Sequence, residues 1–565
     1  MEKFYITTAI DYVNAPPHIG HAYEKIATDV LARHFRQRGI PVFFLTGSDE
    51  HGIKIERTSK EKGLTPLEFC DEIAQKFKEA WELLDIKYDR YIRTTEADHK
   101  KVVQHIFKTL VEKGDIYKAA YTGIYCAGCE SFLNERDLTE DGLCPDHKTK
   151  LQEVKEENYF FKLSKYKEKI IEHIKTNPRF ILPEFRVNEL LNQLKDMEDF
   201  SVSRSKEAVS WGIPVPDDDT QIIYVWIDAL SNYLTGIGYL KDEALFNKFW
   251  SANVHMIGKD ILKFHSIYWI AILMALKEVE EKITLPETIF AHGWITVDQT
   301  KMSKTLGNVI APKAVLDAYN MDKPDALRYF LMTTTPFGRD GNYSDEDFKN
   351  KVNADLANNL GNLLNRTLSM LIKYFDGEIK PEHITESESN LLAELTENRQ
   401  KIIVQNFYIY EISNAAETII KLADTANEYL QNKKPWSLAK EGKMIECGQV
   451  LYNVLETLRH ISIMIYPFTP NIAQDMWIQL GQPDNIEDVK YAEISELEDW
   501  VEEEHEHEIG GASTKRFYTP TKEKNHSKLE WGGLQAGKIA SVETVKPVFL
   551  RLDSEIAGED KKRNK

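Results

Sequence analysis

The chain has 565 residues, of which 42% are hydrophobic and 28% charged, a composition typical of a globular protein with several domains. Five cysteines in so long a chain do not make a disulfide scaffold, and the N-terminus lacks the segments of a secretory signal, so we expect a cytoplasmic protein. The net charge of −19 argues against indiscriminate binding of nucleic acid, although a local basic face could still bind a shaped one.

The first elements of the chain predict a parallel sheet. Phe4–Ile10 is β-branched and apolar, as in a buried strand, residues 20–38 have apolar residues at helical spacing, and Pro41–Gly47 is a second strand. Strand, helix, strand is the crossover of a parallel sheet, in which ligands bind at the carboxyl ends of the strands. Two polar clusters, Pro16–His21 and Ser48–Gly52, follow these strand ends, so we expect the chemistry there.

The middle of the chain predicts an insertion followed by a return to the same fold. Residues from about 116 to 216 contain short strand-like pieces and three of the five cysteines. Gln221–Leu230 and Val254–Asp260 are strand-like and resume the α/β pattern. The longest apolar run, Phe264–Leu276, is too short to span a bilayer and predicts a buried helix, so we expect no membrane contact.

The C-terminal part of the chain is predicted to be helical and then polar. From about residue 349 to 480, apolar residues recur at the spacing of helices that pack on one another. Beyond Trp500 the composition is that of a mobile tail, in which the short apolar segment Lys546–Leu552 could dock back on the body.

Three cysteines and a histidine have the spacing of a zinc site. Cys126-x2-Cys129 is followed, after fourteen residues, by Cys144-x2-His147. Four protein ligands leave no open position, so the site would be structural. The alternative is a set of unrelated buried cysteines.

Two lysines, Lys301 and Lys304, flank Ser303 after a late strand-like segment. Such lysines can hold a polyphosphate as point charges, although a surface pair of this spacing is more often solvated charge. The sequence has neither a P-loop motif nor a G-x-G-x-x-G motif after a strand. A nucleotide triphosphate would therefore be bound in another way.

His18 and His21 bracket Ile19-Gly20 at a predicted helix start. They could be metal ligands, acid–base catalysts, polar residues of a core or donors to a phosphate. Their place after a strand and at a helix N-terminus, where anions are favoured, argues against a core role. The cysteine cluster already supplies a complete zinc site, so the histidine pair is not needed as metal ligands.

Aromatic residues near the predicted strand ends could line a small pocket. Tyr12, Trp226, Tyr233 and His265 are such residues, although each alone fits an apolar core equally well.

These motifs together resemble a known family. "HIGH" after the first strand and "KMSK" after a late strand resemble the class I aminoacyl-tRNA synthetases. "FLTGSDEHG", the cysteine insertion, "YVWIDALSNY", "HMIGKDILKFH" and "HGWITVDQTKMSKTLGN" are similar to the methionyl-tRNA synthetase family and follow its order, and the helical region continues the match to about Leu480. The resemblance implies a ligase that condenses L-methionine with ATP to methionyl-adenylate and pyrophosphate, then charges tRNA(Met), elongator and initiator.

The resemblance also implies roles for individual residues. The histidines would stabilise charge on the phosphates, the lysines would hold the β- and γ-phosphates, and Mg²⁺ would accompany ATP. Catalytic residues would be His18, His21, Lys301 and Lys304, and the ATP site would add Gly20, Gly258, Asp260 and Ser303. The methionine site would contain Ala9, Ile10, Tyr12, Asp49, Trp226, Ala229, Tyr233, Ile261 and His265, with Asp49 on the α-ammonium group.

The helical region, by the same resemblance, would bind the CAU anticodon. Asn362 and Arg366 share a helix face, and with Trp436 they could hydrogen-bond and stack on unpaired bases. Each of the three also fits an ordinary helix. We expect a monomer, because the chain ends without the C-terminal dimerisation and tRNA-binding domain of some relatives.

The predicted fold class is α/β: a Rossmann-like parallel-sheet catalytic domain, split by a zinc-binding insertion and followed by an all-α anticodon-binding bundle. The boundaries are 1–115 and 221–325 for the catalytic halves, 116–220 for the insertion, 326–350 for a stem-contact linker, 351–498 for the bundle and 499–565 for the tail. Two alternatives stay open: a synthetase for another aliphatic amino acid, which would need an editing insertion, and a catalytically silent synthetase-like tRNA-binding protein.

Overall fold

The computed structural model describes most of the chain. The described residues are 3–126, 131–133, 138–139, 141–144, 149–195, 197–302, 307–386, 390–482, 484–490, 492–496, 500–505, 513–518, 522–525 and 531–552. Four of the predicted site residues, Cys129, His147, Ser303 and Lys304, lie outside them.

A parallel sheet forms the centre of the N-terminal half. Its strands are hydrogen-bonded in the order Asp11–Tyr12, Val42–Asp49, Phe4–Thr8, Val254–Gly258, Thr288–His292 and Ile181–Leu182, and Arg90–Arg93 pairs with Val42–Asp49. Every pairing is parallel, which confirms the predicted sheet. Phe4–Thr8 lies between Val42–Asp49, the next long strand in the sequence, and Val254–Gly258, which comes about 250 residues later. The strand order therefore reverses at Phe4–Thr8, and the crevice of such a topological switch point lies beyond the carboxyl end of this strand.

Helix Ile19–Gln37 makes the first crossover and confirms the predicted helix to within one residue at each end. It is buried on nearly all sides because it lies between the sheet and the helical half of the molecule. The other helices of the N-terminal half are Ile53–Glu61, Pro66–Leu83, Ala97–Glu112, Lys167–Thr176, Val187–Lys195, Val225–Leu230, Asn232–Thr235, Glu243–Phe249 and Ile270–Lys277.

The prediction of one strand over residues 221–230 is wrong. The strand Asp218–Ile223 ends early, and Val225–Leu230 is a helix whose Ile227, Asp228, Ala229 and Leu230 are buried. A short apolar run has the same composition in a buried strand and in a buried helix, so periodicity cannot separate them. The run Phe264–Leu276 is helical and buried as predicted, and its first part, Phe264–Trp269, is a π-helix.

The segment from 116 to 220 contains two small antiparallel sheets. One consists of Ser131–Leu133, Ile116–Cys126, Gln152–Phe161 and Phe200–Ser201, and the other of Ser203–Ser205, Asp218–Ile223 and Pro214–Val215. The same segment also supplies Ile181–Leu182 to the main parallel sheet, so its residues are not all separate from the catalytic fold.

Strands Ile295–Val297, Thr300–Lys301 and Gly341–Tyr343 form a small sheet beside the main one. Helices Pro312–Ala318 and Asp325–Thr333 lead from it to the helical half. That half consists of Asp345–Val352, a π-helix at Asn353–Gly361, and then Asn362–Phe375, Leu391–Tyr408, Ile412–Lys433, Pro435–Lys440, Met444–Ile465 and Pro470–Gln479. Among the described residues, no helix combines the length and the hydropathy that crossing a membrane requires.

A buried ionic network joins the two halves. Asp29 of helix Ile19–Gln37 accepts hydrogen bonds from Arg33 Nε and Arg328 Nη2, both at 2.7 Å, through the same carboxylate oxygen. Arg33 also donates to the hydroxyl of Tyr466 at 2.8 Å, and Arg328 donates to the carbonyl oxygens of Pro467 and Phe468. Asp29 and Arg328 are fully buried, so the Asp29 carboxylate is a counter-ion of both guanidinium groups, and Arg33 also pairs with Asp85 at 3.1 Å.

The polar stretch beyond Trp500 contains paired strands where we predicted a mobile tail. Trp500–His505 pairs with Ser513–Tyr518, and Ala492–Glu496 pairs with Lys522–Asn525. The register puts Glu502 opposite Arg516 and Glu503 opposite Lys515.

Residues 531–552 pack against the helical half. The carboxylate of Glu456 accepts the backbone N–H groups of Gly532, Gly533 and Leu534 at 2.9–3.0 Å. Further along, the backbone of Leu552 exchanges two hydrogen bonds with the side chain of Asn353. Backbone groups are recognised here by buried side chains, so a short segment with few apolar residues is held in place.

Candidate active site

The predicted ligand residues converge at one edge of the parallel sheet. Ala9 and Ile10 follow the Phe4–Thr8 strand, Asp49 ends Val42–Asp49, and Gly258 ends Val254–Gly258. These strands are adjacent and parallel, so their carboxyl ends lie side by side. His18, at the start of helix Ile19–Gln37, lies beyond the same edge.

The backbone fixes the proton positions of both motif histidines. The N–H of Gly20 donates to His18 Nδ1 at 3.1 Å, and the N–H of His18 donates to His21 Nδ1 at 3.2 Å. A backbone N–H can only donate, so both Nδ1 atoms are unprotonated acceptors. The neutral rings therefore carry their protons on Nε2, and each can donate one hydrogen bond outwards.

Burial keeps these rings neutral. It lowers the pKa of His18 to about 4, and burial, His18 and Lys25 together hold the pKa of His21 well below its usual value. The two rings are 3.9 Å apart between centroids. Two imidazolium ions at that distance would repel, so the pair offers neutral donors rather than fixed positive charges.

If ATP is the substrate, as the resemblance implies, this arrangement predicts the pH dependence of its use. Because the pKa of His18 is lowered, its ring stays neutral until the pH falls to about 4, where protonation of Nδ1 would break the bond from Gly20. We expect kcat/KM for ATP to show no acid limb from His18 between about pH 5.5 and 8. His18→Asn, which cannot titrate, should leave the shape of the profile unchanged. An acid limb near pH 6.5 that is present in the wild type and absent in His18→Asn would contradict the assignment.

Gly20 is required by the folded-back ring of His18. A Cβ at this position would lie 2.9 Å from two atoms of that ring and 3.2 Å from the methyl group of Met302. Met302 belongs to the "KMSK" motif. Shortly after that motif, the carbonyl of Ile310 accepts a hydrogen bond from the N–H of Ile19 at 2.9 Å. The start of the helix and the segment around the second motif are therefore in direct contact.

Lys301 lies on an aromatic ring of the same region. Its ammonium is 3.7 Å from the ring centroid of Trp294, and that of Lys259 is 4.1 Å from it. The indole N–H of Trp294 donates to Asp260 at 3.1 Å. Trp294 thus links Lys301, a predicted phosphate-binding residue, to Asp260, a predicted residue of the adenosine site. Trp294 itself was not among the residues predicted from the sequence.

His265 and Tyr233 form a hydrogen-bonded pair in the predicted methionine site. His265 Nδ1–H donates to the carbonyl of Ile261 at 3.0 Å, and burial lowers the pKa of this histidine to about 4. The neutral ring therefore accepts the hydroxyl of Tyr233 at Nε2, 2.6 Å away. Both ring nitrogens are occupied, so we expect His265 to shape the pocket rather than to donate to a thioether.

Trp226 stacks on Phe264 with a centroid distance of 3.7 Å and an angle of 3°, and it meets His265 edge-on. Tyr233 lies 4.1 Å from the ring of His255 and 5.9 Å from that of Trp269. Phe264 and His255 were not among the predicted pocket residues. The sequence signal that could have found Phe264 is its place directly before His265. In the structure both residues lie in the π-helix Phe264–Trp269, and π-helical turns recur at functional sites.

A buried cluster of charges lies beneath the histidines. Lys25 donates to Asp11 at 2.7 Å, to Glu24 at 2.9 Å and to the carbonyl of Ala9 at 3.1 Å. His292 lies 3.0 Å from Glu24 through Nε2 and 2.7 Å from the carbonyl of Gly293 through Nδ1. Burial favours the neutral acid, but Lys25 and His292 outweigh it and lower the pKa of Glu24. The helix start is therefore tied to the ends of three strands.

Comparison with known proteins identifies the family. The family model "tRNA synthetases class I (M)" matches residues 4–154 and 147–368, and "Anticodon-binding domain of tRNA ligase" matches residues 390–517. The chain is 46% identical over 502 residues to the methionine–tRNA ligase of Caldanaerobacter subterraneus subsp. tengcongensis, covering 88% of this chain and 77% of that protein. The chain belongs to the methionyl-tRNA synthetase family. Its identity to the methionine–tRNA ligase of Clostridium perfringens is 48% over 484 residues, with 85% and 73% coverage.

Solved structures of the methionyl-tRNA synthetase family have the same fold. The structure titled as Mycobacterium tuberculosis methionyl-tRNA synthetase in complex with methionyl-adenylate matches with a TM-score of 0.81 and 39% identity, covering 86% of this chain and 95% of that one. The apo form of the same enzyme matches with a TM-score of 0.75 and 36% identity, covering 86% and 93%. The anticodon-domain model extends to residue 517, past the boundary at 498 that we expected for the bundle.

Two of the four predicted zinc ligands lie within the described part of the chain. Cys126 ends the strand Ile116–Cys126, Cys144 follows in a short loop, and both thiols are buried. Within the described residues no group of three or more metal-binding side chains comes together, and Cys129 and His147 lie outside them. Buried thiols fit the donor preference of Zn²⁺.

The predicted anticodon residues lie in the helical half. Asn362 is exposed and Arg366 half-buried on helix Asn362–Phe375, directly after the π-helix Asn353–Gly361. Trp436 is half-buried in the short helix Pro435–Lys440, which follows Ile412–Lys433, a helix that packs against Asn362–Phe375. The three residues therefore belong to neighbouring helices of one bundle.

Proposed function

We propose that the chain is a methionine–tRNA ligase that condenses L-methionine with ATP to methionyl-adenylate and pyrophosphate, then transfers methionyl to the terminal adenosine of tRNA(Met). The observation that carries this proposal is the pair of neutral Nε2–H donors of His18 and His21 at the ligand-binding edge of the sheet, in a chain of this family. ATP with Mg²⁺ is the second substrate.

In the first step the methionine carboxylate attacks the α-phosphorus and pyrophosphate leaves. Negative charge on the phosphate oxygens increases in the transition state, and the Nε2–H groups of His18 and His21 stabilise it. Lys301, and Lys304 by the motif, hold the leaving phosphates. Lys301 lies on the ring of Trp294, and the N–H groups of its ammonium that face away from the ring can donate to phosphate oxygens.

Methionine itself would bind between Asp49 and the aromatic wall. Asp49 would pair with the α-ammonium group, and the thioether would lie among Tyr12, Trp226, Tyr233 and His265. An unbranched polarizable side chain suits such an aromatic pocket. Ala9, Ile10, Ala229 and Ile261 would complete its walls, and Gly258 and Asp260 would face the adenosine.

Pyrophosphate exchange measured with a panel of amino acids tests this function. Methionine should support exchange, and valine, isoleucine and leucine should not. Exchange with leucine but not methionine would establish the rival synthetase specificity, and tRNA binding without any exchange would establish the catalytically silent alternative.

We also propose one structural Zn²⁺ held by Cys126, Cys129, Cys144 and His147. Metal analysis of the purified chain should find one equivalent of zinc, which Cys144→Ser should reduce while Cys447→Ala, a buried cysteine on helix Met444–Ile465, should not. Losing a structural zinc should also lower the midpoint of thermal unfolding. A folded wild-type sample without zinc would contradict the site.

For the anticodon we propose Asn362, Arg366 and Trp436 as contacts to the unpaired CAU bases. Trp436→Ala should raise the KM for tRNA, since stacking on one base contributes about 1–3 kcal/mol, and leave pyrophosphate exchange unchanged. The monomeric state and the cytoplasmic location stay predictions.

A further inference from the structure

A buried carboxylate, Asp228, joins two parts of the amino-acid site. It lies in the short helix Val225–Leu230, between Trp226 and Ala229 of the predicted methionine wall, and its side chain is inaccessible to solvent. Its oxygen Oδ2 is 2.6 Å from His51 Nδ1, and Oδ1 is 2.8 Å from His99 Nε2. Both imidazoles are buried as well.

The carboxylate stays ionised in this environment. Burial opposes ionisation, but the charges and hydrogen bonds of His51 and His99 outweigh burial and lower the pKa of Asp228 to about 2. Hydrogen bonds to an ionised acceptor are about twice as strong as neutral ones. Asp228 therefore holds both imidazoles in fixed orientations.

His51 follows Asp49, the last residue of the strand Val42–Asp49, by two residues. Between the two, Glu50 is fixed by Arg93 Nε and Ser48 Oγ, both at 2.6 Å, and by Thr95 Oγ1 at 2.5 Å. Glu50 and His51, the two residues that follow Asp49, are therefore both held by strong hydrogen bonds. One anchor, Glu50, connects to the neighbouring strand, and the other, His51, connects to the helix of the pocket wall.

His99 holds the other side of that helix. It lies on Ala97–Glu112, and its Nδ1 is 3.1 Å from the hydroxyl of Thr235 in Asn232–Thr235, the helix that carries Tyr233. A six-residue helix is too short to be stable alone, and no side chain caps the N-terminus of Val225–Leu230. Its position therefore depends on contacts such as those of Asp228.

We propose that Asp228, with His51 and His99, sets the distance between the ammonium-binding Asp49 and the pocket wall formed by Trp226, Ala229 and Tyr233, and thereby determines the affinity for methionine. We assign the three as positioning residues, because their side chains are buried and are hydrogen-bonded to one another. This inference rests on the proposed methionine activation.

The contact of His51 Nδ1 with Asp228 can be tested with a matched pair of variants. In His51→Asn the amide nitrogen takes the place of Nδ1, so a donor to Asp228 is retained, whereas His51→Ala removes it. We expect His51→Ala to raise the KM for methionine about 10- to 100-fold, since a hydrogen bond to a charged group contributes about 1.5–3 kcal/mol. His51→Asn should stay within about threefold of the wild type, and KM for ATP and kcat should change little in both.

Pyrophosphate exchange gives these constants, and urea unfolding checks the fold. Equal increases in both KM values for His51→Ala, or no change in either, would overturn the proposal. If His51→Ala does not fold, Asp228→Asn replaces it, because the amide keeps the size of the carboxylate but can accept from only one imidazole through its oxygen. Its unchanged KM for methionine would also overturn the proposal. Absence of methionine-dependent exchange in the wild type would instead refute the proposed function.

Discussion

His21→Ala is expected to lower the rate of methionyl-adenylate formation by about 10²–10³-fold, the effect of losing one preorganised donor to transition-state charge. The donor is preorganised because the N–H of His18 holds Nδ1 of His21, so no proton has to move before Nε2–H can act. Burial holds the pKa of His21 well below its usual value, so its ring is in this form throughout the neutral range. Pre-steady-state measurement of adenylate formation gives the rate directly.

His21→Gln serves as the matched control, since its amide nitrogen can reach the place of Nε2. It should retain more activity than His21→Ala at comparable stability in urea. KM for methionine should be almost unchanged in both, because the proposed partner of the ring is a phosphate and not the amino acid. A rate within tenfold of the wild type in His21→Ala would mean that His21 does not stabilise the transition state.

Asp29→Ala is expected to lower the free energy of unfolding by about 3–5 kcal/mol, the cost of leaving buried charges without their partner. Asp29 is the counter-ion of Arg33 and Arg328, and its other oxygen accepts the N–H of Lys87 at 2.8 Å. Burial raises the pKa of Asp29, but the two guanidinium groups outweigh it and the pKa is lowered. The stabilisation is therefore present at neutral pH and is lost as the pH falls through the lowered pKa.

Urea unfolding at neutral pH, with tryptophan fluorescence and circular dichroism as separate probes, measures this loss. Lys313→Ala is the control, since Lys313 and Asp317 form an ion pair at 2.7 Å whose side chains are 71% and 61% exposed. Such a pair contributes about 0–1 kcal/mol. Similar losses for Asp29→Ala and Lys313→Ala would show that the buried network does not hold the two halves together.

The spacing of apolar residues and the order of strands and helices along the chain predicted the parallel sheet and its long helices. Helix Ile19–Gln37 and the strands around it follow from apolar spacing, since each is long enough to bury a continuous face. Val225–Leu230 was missed because a short apolar segment takes its conformation from its neighbours. The two-residue strand Ile181–Leu182 has no signal of its own and forms because Ile289 and Phe290 provide an open edge.

The site was predictable as a set of motifs but not as a set of protonation states. His18, His21 and Asp49 could be placed by resemblance, and the sheet brings their segments to one edge. The acceptor role of each Nδ1 depends on a backbone N–H, and the engagement of His265 depends on Tyr233 and on a carbonyl. The two imidazole partners of Asp228 come from segments far away in the chain, so only the folded structure brings them together.

Helix Ile19–Gln37 also has a mechanical consequence. Its first turn carries His21, and one carboxylate of the same helix, Asp29, is bonded to Arg328 and, through Arg33, to Tyr466 in the helical half. Eight residues separate His21 from Asp29, about 12 Å of a single stiff rod. One helix therefore connects the predicted phosphate-binding end with the helical half, without passing through a loop.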